Sequence, residues 1–315
     1  MHKSVLLKES IAILNPQPGE FFIDGTIGSG GHSEAILEKI GPSGKLLGID
    51  WDRKAIENCK LGIGNFSNVI LVNGNYANLT EILKEKKLPK ADGLIIDLGF
   101  SSEQIENSNK GFSFMKDEPL IMLYYTRTDT DKTQTNTDVQ YESVSSQYKS
   151  AFMTAAEIVN SFNEKDLADI FWKYGEERFS RQIAKKIVEE RKKGRILTTF
   201  ELVEIIKKAV PKFYERGRLH PATRVFQALR ICVNRELENL ETLLKKIPEI
   251  MKSKGRAAII SFHSLEDRLV KNYFKQMAKE GYAEILTRKP ITPTEEEIKN
   301  NPRSRSAKMR AIQIK

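Results

Sequence analysis

Short apolar runs closed by an acid punctuate the first third of the chain. They are Phe21-Phe22-Ile23-Asp24, Lys45-Leu46-Leu47-Gly48-Ile49-Asp50 and Asp92-Gly93-Leu94-Ile95-Ile96-Asp97, with a further apolar run over Asn68–Val72. Helical patterns lie between them, over Ser33–Ile40, Arg53–Leu61 and Leu79–Lys87. Strands alternating with helices predict a parallel sheet covered on both faces.

The alternation then stops. From about Glu103 to Leu219 no further strand is predicted. Ile121–Ser150 is polar and unpatterned, with Thr126, Thr128, Thr130, Thr133, Thr135 and Thr137 in close succession, and is expected to be a flexible loop. Thr154-Ala155-Ala156-Glu157 has capping-box spacing, as does Thr198-Thr199-Phe200-Glu201, and Phe179, Ile183 and Ile187 recur every four residues. These mark helices. A long helix is expected from about Pro221, its stripe running Phe226, Leu229, Val233, Leu237, Leu240 and Leu244 before Pro248 ends it. Arg256–Phe262 then reads as strand and Ser264–Ala278 as helix, with Tyr282–Thr287 and Lys308–Ile314 as a closing strand pair. The expected organisation is a sheet domain from residues 1–105 and 220–315, with a helical domain, 106–219, inserted in it.

Composition narrows the setting. At 315 residues the chain can bury a sizeable core, and it has no apolar run long enough to span a bilayer. The N-terminus has neither a signal peptide's apolar core nor an Arg/Ser-rich transit segment, and the two cysteines, Cys59 and Cys232, form no C-x-x-C pair. A cytoplasmic protein is expected. The four histidines are scattered, so no metal site is predicted by spacing. The formal charge of +9 favours a polyanionic partner. Two basic clusters stand out, Arg216, Arg218, Arg224 and Arg230, and Arg303, Arg305, Lys308 and Arg310; both are expected to meet phosphates.

The chemistry sits between the first two strands. Asp24-Gly25-Thr26-Ile27-Gly28-Ser29-Gly30-Gly31-His32 is a glycine-dense turn entering a helix, and Asp50 ends the following strand. Such a βαβ unit suits an adenosine-type ligand. Glycines admit close backbone approach, the helix start offers N–H groups, and the acid accepts from a ribose diol. Ser33 stands where the dinucleotide fingerprint has its third glycine, which argues against NAD and for S-adenosylmethionine (SAM). Gly30, Gly31 and the His32 backbone are expected at the amino-acid end of that cofactor and Asp50 at its ribose. His32 is also readable as an ordinary first-turn residue. The expected fold is α/β, a class I SAM-methyltransferase Rossmann-like sheet with an inserted helical domain.

Several blocks together resemble the RsmH (MraW) family of 16S ribosomal RNA cytosine-N4 methyltransferases. They include His2–Glu9, Asp24–Ser33, Asp97-Leu98-Gly99-Phe100-Ser101-Ser102, Lys110-Gly111-Phe112-Ser113-Phe114, Tyr174-Gly175-Glu176-Glu177-Arg178, His220–Arg230, Ser261–Arg268 and Asn301–Ala307, in family order along nearly the whole chain. The chain departs from the family at Ser4 (usually Pro) and Lys110 (usually Arg). It departs further at Ile121-Met122-Leu123-Tyr124, where the family has Asp-Met-Arg-Met. The resemblance implies methylation of the exocyclic amine of a cytidine in small-subunit ribosomal RNA, with the small subunit as partner and an undetermined oligomeric state.

It further implies a position beside adenine for Tyr76, otherwise readable as a core aromatic, and one in the same crevice for Gln104. Asp97 ends the fourth strand, where the fold holds the reacting group, and is the candidate catalytic residue; it can equally serve the cofactor or cap the next turn. His263 is a second candidate, and a helix cap is its alternative. A small-molecule methyltransferase and a non-catalytic assembly factor are the competing readings. Methyl transfer to RNA separates them from the first.

Overall fold

The computed structural model describes residues 4–99, 109–124, 153–215 and 219–315, apart from the side chains of Asn65 and Glu215. Two compact units result: Met1–Ser101 with Leu237–Lys315, and Ser102–Glu236.

The first unit is built on one seven-stranded sheet. Its strands are β1 (Phe21–Asp24), β2 (Lys45–Asp50), β3 (Val69–Asn73), β4 (Ala91–Asp97), β5 (Met251–Ser261), β6 (Ala283–Ile285) and β7 (Lys308–Ile314), in the order β3-β2-β1-β4-β5-β7-β6. β1 to β5 are parallel; β7 runs antiparallel to both β5 and β6. The α/β sheet and its closing strand pair are those expected from the sequence.

Side chains alternate across the strands, and both faces are buried, as a parallel sheet requires. Phe21, Ile23, Leu47, Ile49, Leu94, Ile96, Ala257 and Ile259 face one core with Leu79, Leu244, Ile247 and Phe274. Phe22, Leu46, Ile95, Ala258 and Ile260 face the other. There they meet α1 (Leu7–Leu14), α2 (Gly31–Ile40) and α3 (Arg53–Gly62) through Leu14, Ile36, Ile40 and Ile56. The winding reverses between β1 and β4, so the carboxyl ends of these strands open a crevice where α/β sheets bind ligands.

The second unit is helical. Both predicted capping boxes form, at Thr154 with Glu157 and at Thr198 with Glu201. Ile183 and Ile187 are fully buried in the helix Ser180–Glu190. Most of the Thr-rich stretch lies outside the described residues. Ile121–Tyr124 is tied in: the Asn234 Nδ2 donates to the Met122 carbonyl at 2.7 Å, and the Tyr124 hydroxyl donates to Glu236 at 2.7 Å.

Two expectations need correction. The long helix from Pro221 is two helices, Ala222–Asn234 and Glu236–Ile250, broken at Arg235 in the left-handed region (φ 52°). Asn234 turns its side chain on the backbone, donating to the Arg230 carbonyl at 3.0 Å and accepting from the Tyr124 N–H at 3.0 Å. The step from Val233 to Leu237 keeps helical spacing across the break, so periodicity did not reveal it. Pro248 lies inside the second helix. Ala222–Asn234 packs against the helix Glu164–Gly175, and both belong to the unit that runs to Glu236.

The basic clusters are also redistributed. Arg230 holds Glu236 in a two-pronged pair at 2.9 and 3.0 Å, and Arg310 is buried in β7 against Asp267 at 2.6 and 3.2 Å. Both charges are already paired with an acid. Arg216 and Arg218 lie outside the described residues. Removing one partner of a buried pair strands the other charge. Arg310→Ala is therefore expected to lower stability by about 3 kcal/mol, read from the urea midpoint, with the SAM affinity of the folded variant unchanged.

Candidate active site

The site forms where β1, β2 and β4 end. The turn after β1 takes its shape from Gly28 (φ 52°) and Gly30 (φ 86°), left-handed positions that glycine occupies without strain. Gly30 is the N-cap of α2. Its first-turn N–H groups, from Gly31, His32 and Ser33, have no acceptor within the helix and sit beside a positive dipole end, a natural seat for a carboxylate.

Asp50 closes the opposite wall. Its Oδ2 accepts from the Gly28 N–H at 2.9 Å and its Oδ1 from the Asp52 N–H at 2.8 Å. The acid thus fixes the glycine turn, and each oxygen keeps a lone pair for a further donor. Burial raises Asp50 to about 6, against the pull of the Asp52 and Gly28 N–H groups. Beneath the turn the Cys59 thiol donates to the Gly28 carbonyl at 3.3 Å, and burial pushes it up to about 12, so it stays protonated.

Asp24 is fully buried under the same turn, with the Ser33 hydroxyl donating at 2.7 Å and the Thr26 N–H at 3.2 Å. Burial raises it to about 6 as well, with His32 acting in the opposite direction. The His32 ring is buried and its Nε2 lies 3.1 Å from the Val5 carbonyl. A carbonyl only accepts, so Nε2 carries the proton. Burial lowers the His32 pKa, with Asp24 opposing. The ring secures the segment before α1, and only the His32 backbone faces the helix start.

Tyr76 opens a short 3₁₀ turn after β3, anchored by Asn75. Its Oδ1 takes the Ala77 N–H at 2.9 Å while its Nδ2 donates to Asn239 at 3.0 Å. The Tyr76 ring packs on the core, and a side chain at Gly25 would run into its Cβ and Ile96. It therefore borders the glycine turn. Asp97 ends β4, its N–H donating to the Thr26 Oγ1 at 2.7 Å and its Oδ1 accepting from the Gly99 N–H at 3.0 Å. Thr26 thereby ties the turn to β4.

The structure brings Gly30, Gly31, the His32 backbone, Asp50, Tyr76 and Asp97 around one crevice; Gln104 lies outside the described residues. It adds Asp24, Thr26 and Ser33, which the sequence showed only as a strand-end acid and two hydroxyls of a motif. His263 caps the helix Ser264–Lys279, its Nδ1 accepting from the Glu266 N–H at 3.4 Å while Glu266 Oε2 takes the Phe262 and His263 N–H groups. That is a structural post.

The profile of the MraW methylase family matches residues 1–147 and 146–315, which together run the length of the chain. The chain belongs to the MraW methylase family. Ribosomal RNA small subunit methyltransferase H of Syntrophotalea carbinolica is 43% identical, over 99% of this chain and 97% of its own. The enzyme of that name from Clostridium botulinum is 43% identical over 98% and 97%, and that of Dictyoglomus thermophilum 42% over 98% and 95%. Among solved structures, an rRNA methylase from Streptococcus thermophilus overlays with a TM-score of 0.43 at 9% identity, covering 100% and 98% of the two chains.

Membership of the MraW family makes the chain a SAM-dependent methyltransferase, and the crevice fits that cofactor. The α2 first turn would hold its carboxylate, Asp50 its ribose diol and Tyr76 its adenine edge. To accept both hydroxyls Asp50 would have to be ionised, so this assignment predicts a pH dependence. SAM affinity should be flat above about pH 7 and weaken by up to about tenfold per unit below about pH 6. Calorimetry between pH 5 and 8 checks it. Folding responds with the opposite sign. The native acid binds its proton more tightly than the unfolded one, so this contribution to stability is fullest below about pH 4 and is lost as pH rises through 6.

Proposed function

We propose that this chain methylates the N4 amine of a cytidine in small-subunit ribosomal RNA, in the cytoplasm. What supports the reading most is the full-length match to relatives named ribosomal RNA small subunit methyltransferase H, joined to a site whose three strand-end acids surround the glycine turn. The helical unit Ser102–Glu236 is the substrate-recognition part of this reading. Among the described residues no helix is long and apolar enough to cross a membrane.

The exocyclic amine of cytosine is a weak nucleophile because its lone pair is delocalised into the ring. SAM, when bound, supplies an electrophilic methyl group on a sulfonium. Asp97 holds an acceptor at the β4 end, anchored through Gly99 and Thr26. There it takes a hydrogen bond from the amine and sets its direction of attack. Asp50 and the α2 N-terminus keep the cofactor in register with it.

The deciding experiment is transfer of labelled methyl from SAM to small subunits, followed by nucleoside mass spectrometry. N4-methylcytidine is the expected product. 5-Methylcytidine, or label confined to small molecules, refutes the assignment.

A further inference from the structure

The segment Tyr174-Gly175-Glu176-Glu177-Arg178 ends one helix of the second unit and leads into the next, and its backbone is closely determined. Gly175 lies so near the helix Ala222–Asn234 that a Cβ there would strike the Arg224 carbonyl. Glu176 is left-handed (φ 51°). Its carbonyl accepts from Arg224 Nη1 at 3.0 Å, and the Tyr174 carbonyl accepts from Gln227 Nε2 at 3.1 Å.

Glu177 is fully buried, and among the described residues no cation pairs with it. Burying a carboxylate this way is costly unless its oxygens are hydrogen-bonded. They are: Oε1 accepts from the Phe179 N–H at 2.8 Å and Oε2 from the Tyr214 hydroxyl at 2.7 Å. The pair of bonds fixes two aromatic rings edge to face, 4.9 Å apart at 71°. Above both rings lies the guanidinium of Arg178, 5.0 Å from the centre of Phe179 and 4.9 Å from that of Tyr214.

A guanidinium held over aromatic rings is attracted to them through its charge and needs none of its N–H donors for that contact. Arg178 is exposed, and among the described residues no carboxylate or carbonyl takes those donors. A solvated surface arginine covering apolar area explains its stem. It does not explain a buried glutamate spent on aligning the rings beneath the head group. The chemistry that matches an exposed guanidinium with unpaired donors is a phosphate oxygen pair. We propose that Arg178 is a phosphate-binding residue of the helical unit, seating a backbone phosphodiester of the RNA substrate. The proposal rests on the reading above that the substrate is RNA.

The test uses the full-length protein and deproteinised small-subunit ribosomal RNA, titrated at several KCl concentrations. Arg178→Ala is expected to weaken binding about tenfold at low salt and to reduce the slope of log K against log[KCl] by about 0.7. SAM affinity and the melting midpoint should stay at wild-type values. Arg178→Lys should restore the slope but only part of the affinity, because a lysine keeps the charge and loses the fork. Wild-type affinity and slope in Arg178→Ala overturn the proposal, as does a binding loss matched by a fallen melting midpoint. Absence of salt-dependent RNA binding by the wild type is distinct: it refutes the RNA reading itself, and the phosphate site with it.

Discussion

Asp97→Ala is expected to slow single-turnover methylation by at least ~10²-fold at saturating SAM, the lower end for a positioned acid–base group. SAM affinity should fall far less. The reason is geometric. The carboxylate is held by the Gly99 N–H, and the strand end is clamped to the glycine turn through Thr26. An acceptor fixed on both sides of the crevice suits a group that must point an amine, because misdirection there costs rate more than binding. Asp97→Asn separates two roles. If orienting the amine is enough, the amide oxygen preserves more rate than alanine does. If the acid takes up the amine proton, asparagine is as slow as alanine. The measurement is quenched single turnover with the product nucleoside identified by mass. A wild-type rate in Asp97→Ala would return the residue to holding the turn.

Much of this architecture was legible because parallel strands buried on both faces leave short apolar runs, and helices between them leave stripes of three and four. Asp50 shows the same pattern: it ends such a run, and in the structure it accepts from the Gly28 N–H of the turn. Other features depended on contacts distant in sequence. His32 stands in a motif beside the cofactor turn, yet its ring is committed to the Val5 carbonyl. Asp24 looked like a strand end; its burial and its bond from Ser33 make it the support on which the turn rests.

Charge was the least faithful guide. Arg230 and Arg310 belong to basic clusters in the sequence but are neutralised by Glu236 and Asp267. Arg178 belongs to no cluster, yet it lies exposed over the Phe179 and Tyr214 rings with no acid paired to it among the described residues. Counting cations finds a polyanion-binding protein. Locating the acids beside them finds which cations are left to bind.

The second large effect concerns Asp50, which holds the glycine turn and is the proposed acceptor for the cofactor's ribose. Asp50→Ala is expected to weaken SAM binding by about 2–3 kcal/mol, the scale of one or two charged hydrogen bonds. That is roughly a 30- to 150-fold rise in Kd, a large share of the ~8 kcal/mol that a micromolar ligand has in all. Two losses combine in it: the acceptor for the ribose hydroxyls, and the anchor of the Gly28 N–H that holds the turn in its left-handed course. Asp50→Asn divides them. An asparagine retains one acceptor oxygen for Gly28 or for the ribose but no charge, so it should fall between wild type and alanine. It should also abolish the decline of affinity below pH 6, since no titrating acid remains at that position. Calorimetry on the three proteins at pH 5.5 and 7.5 reads both effects. Wild-type affinity in a folded Asp50→Ala protein would remove Asp50 from the cofactor site. An undiminished pH dependence in Asp50→Asn would assign the titration to Asp24 instead, the other acid that burial raises to about 6.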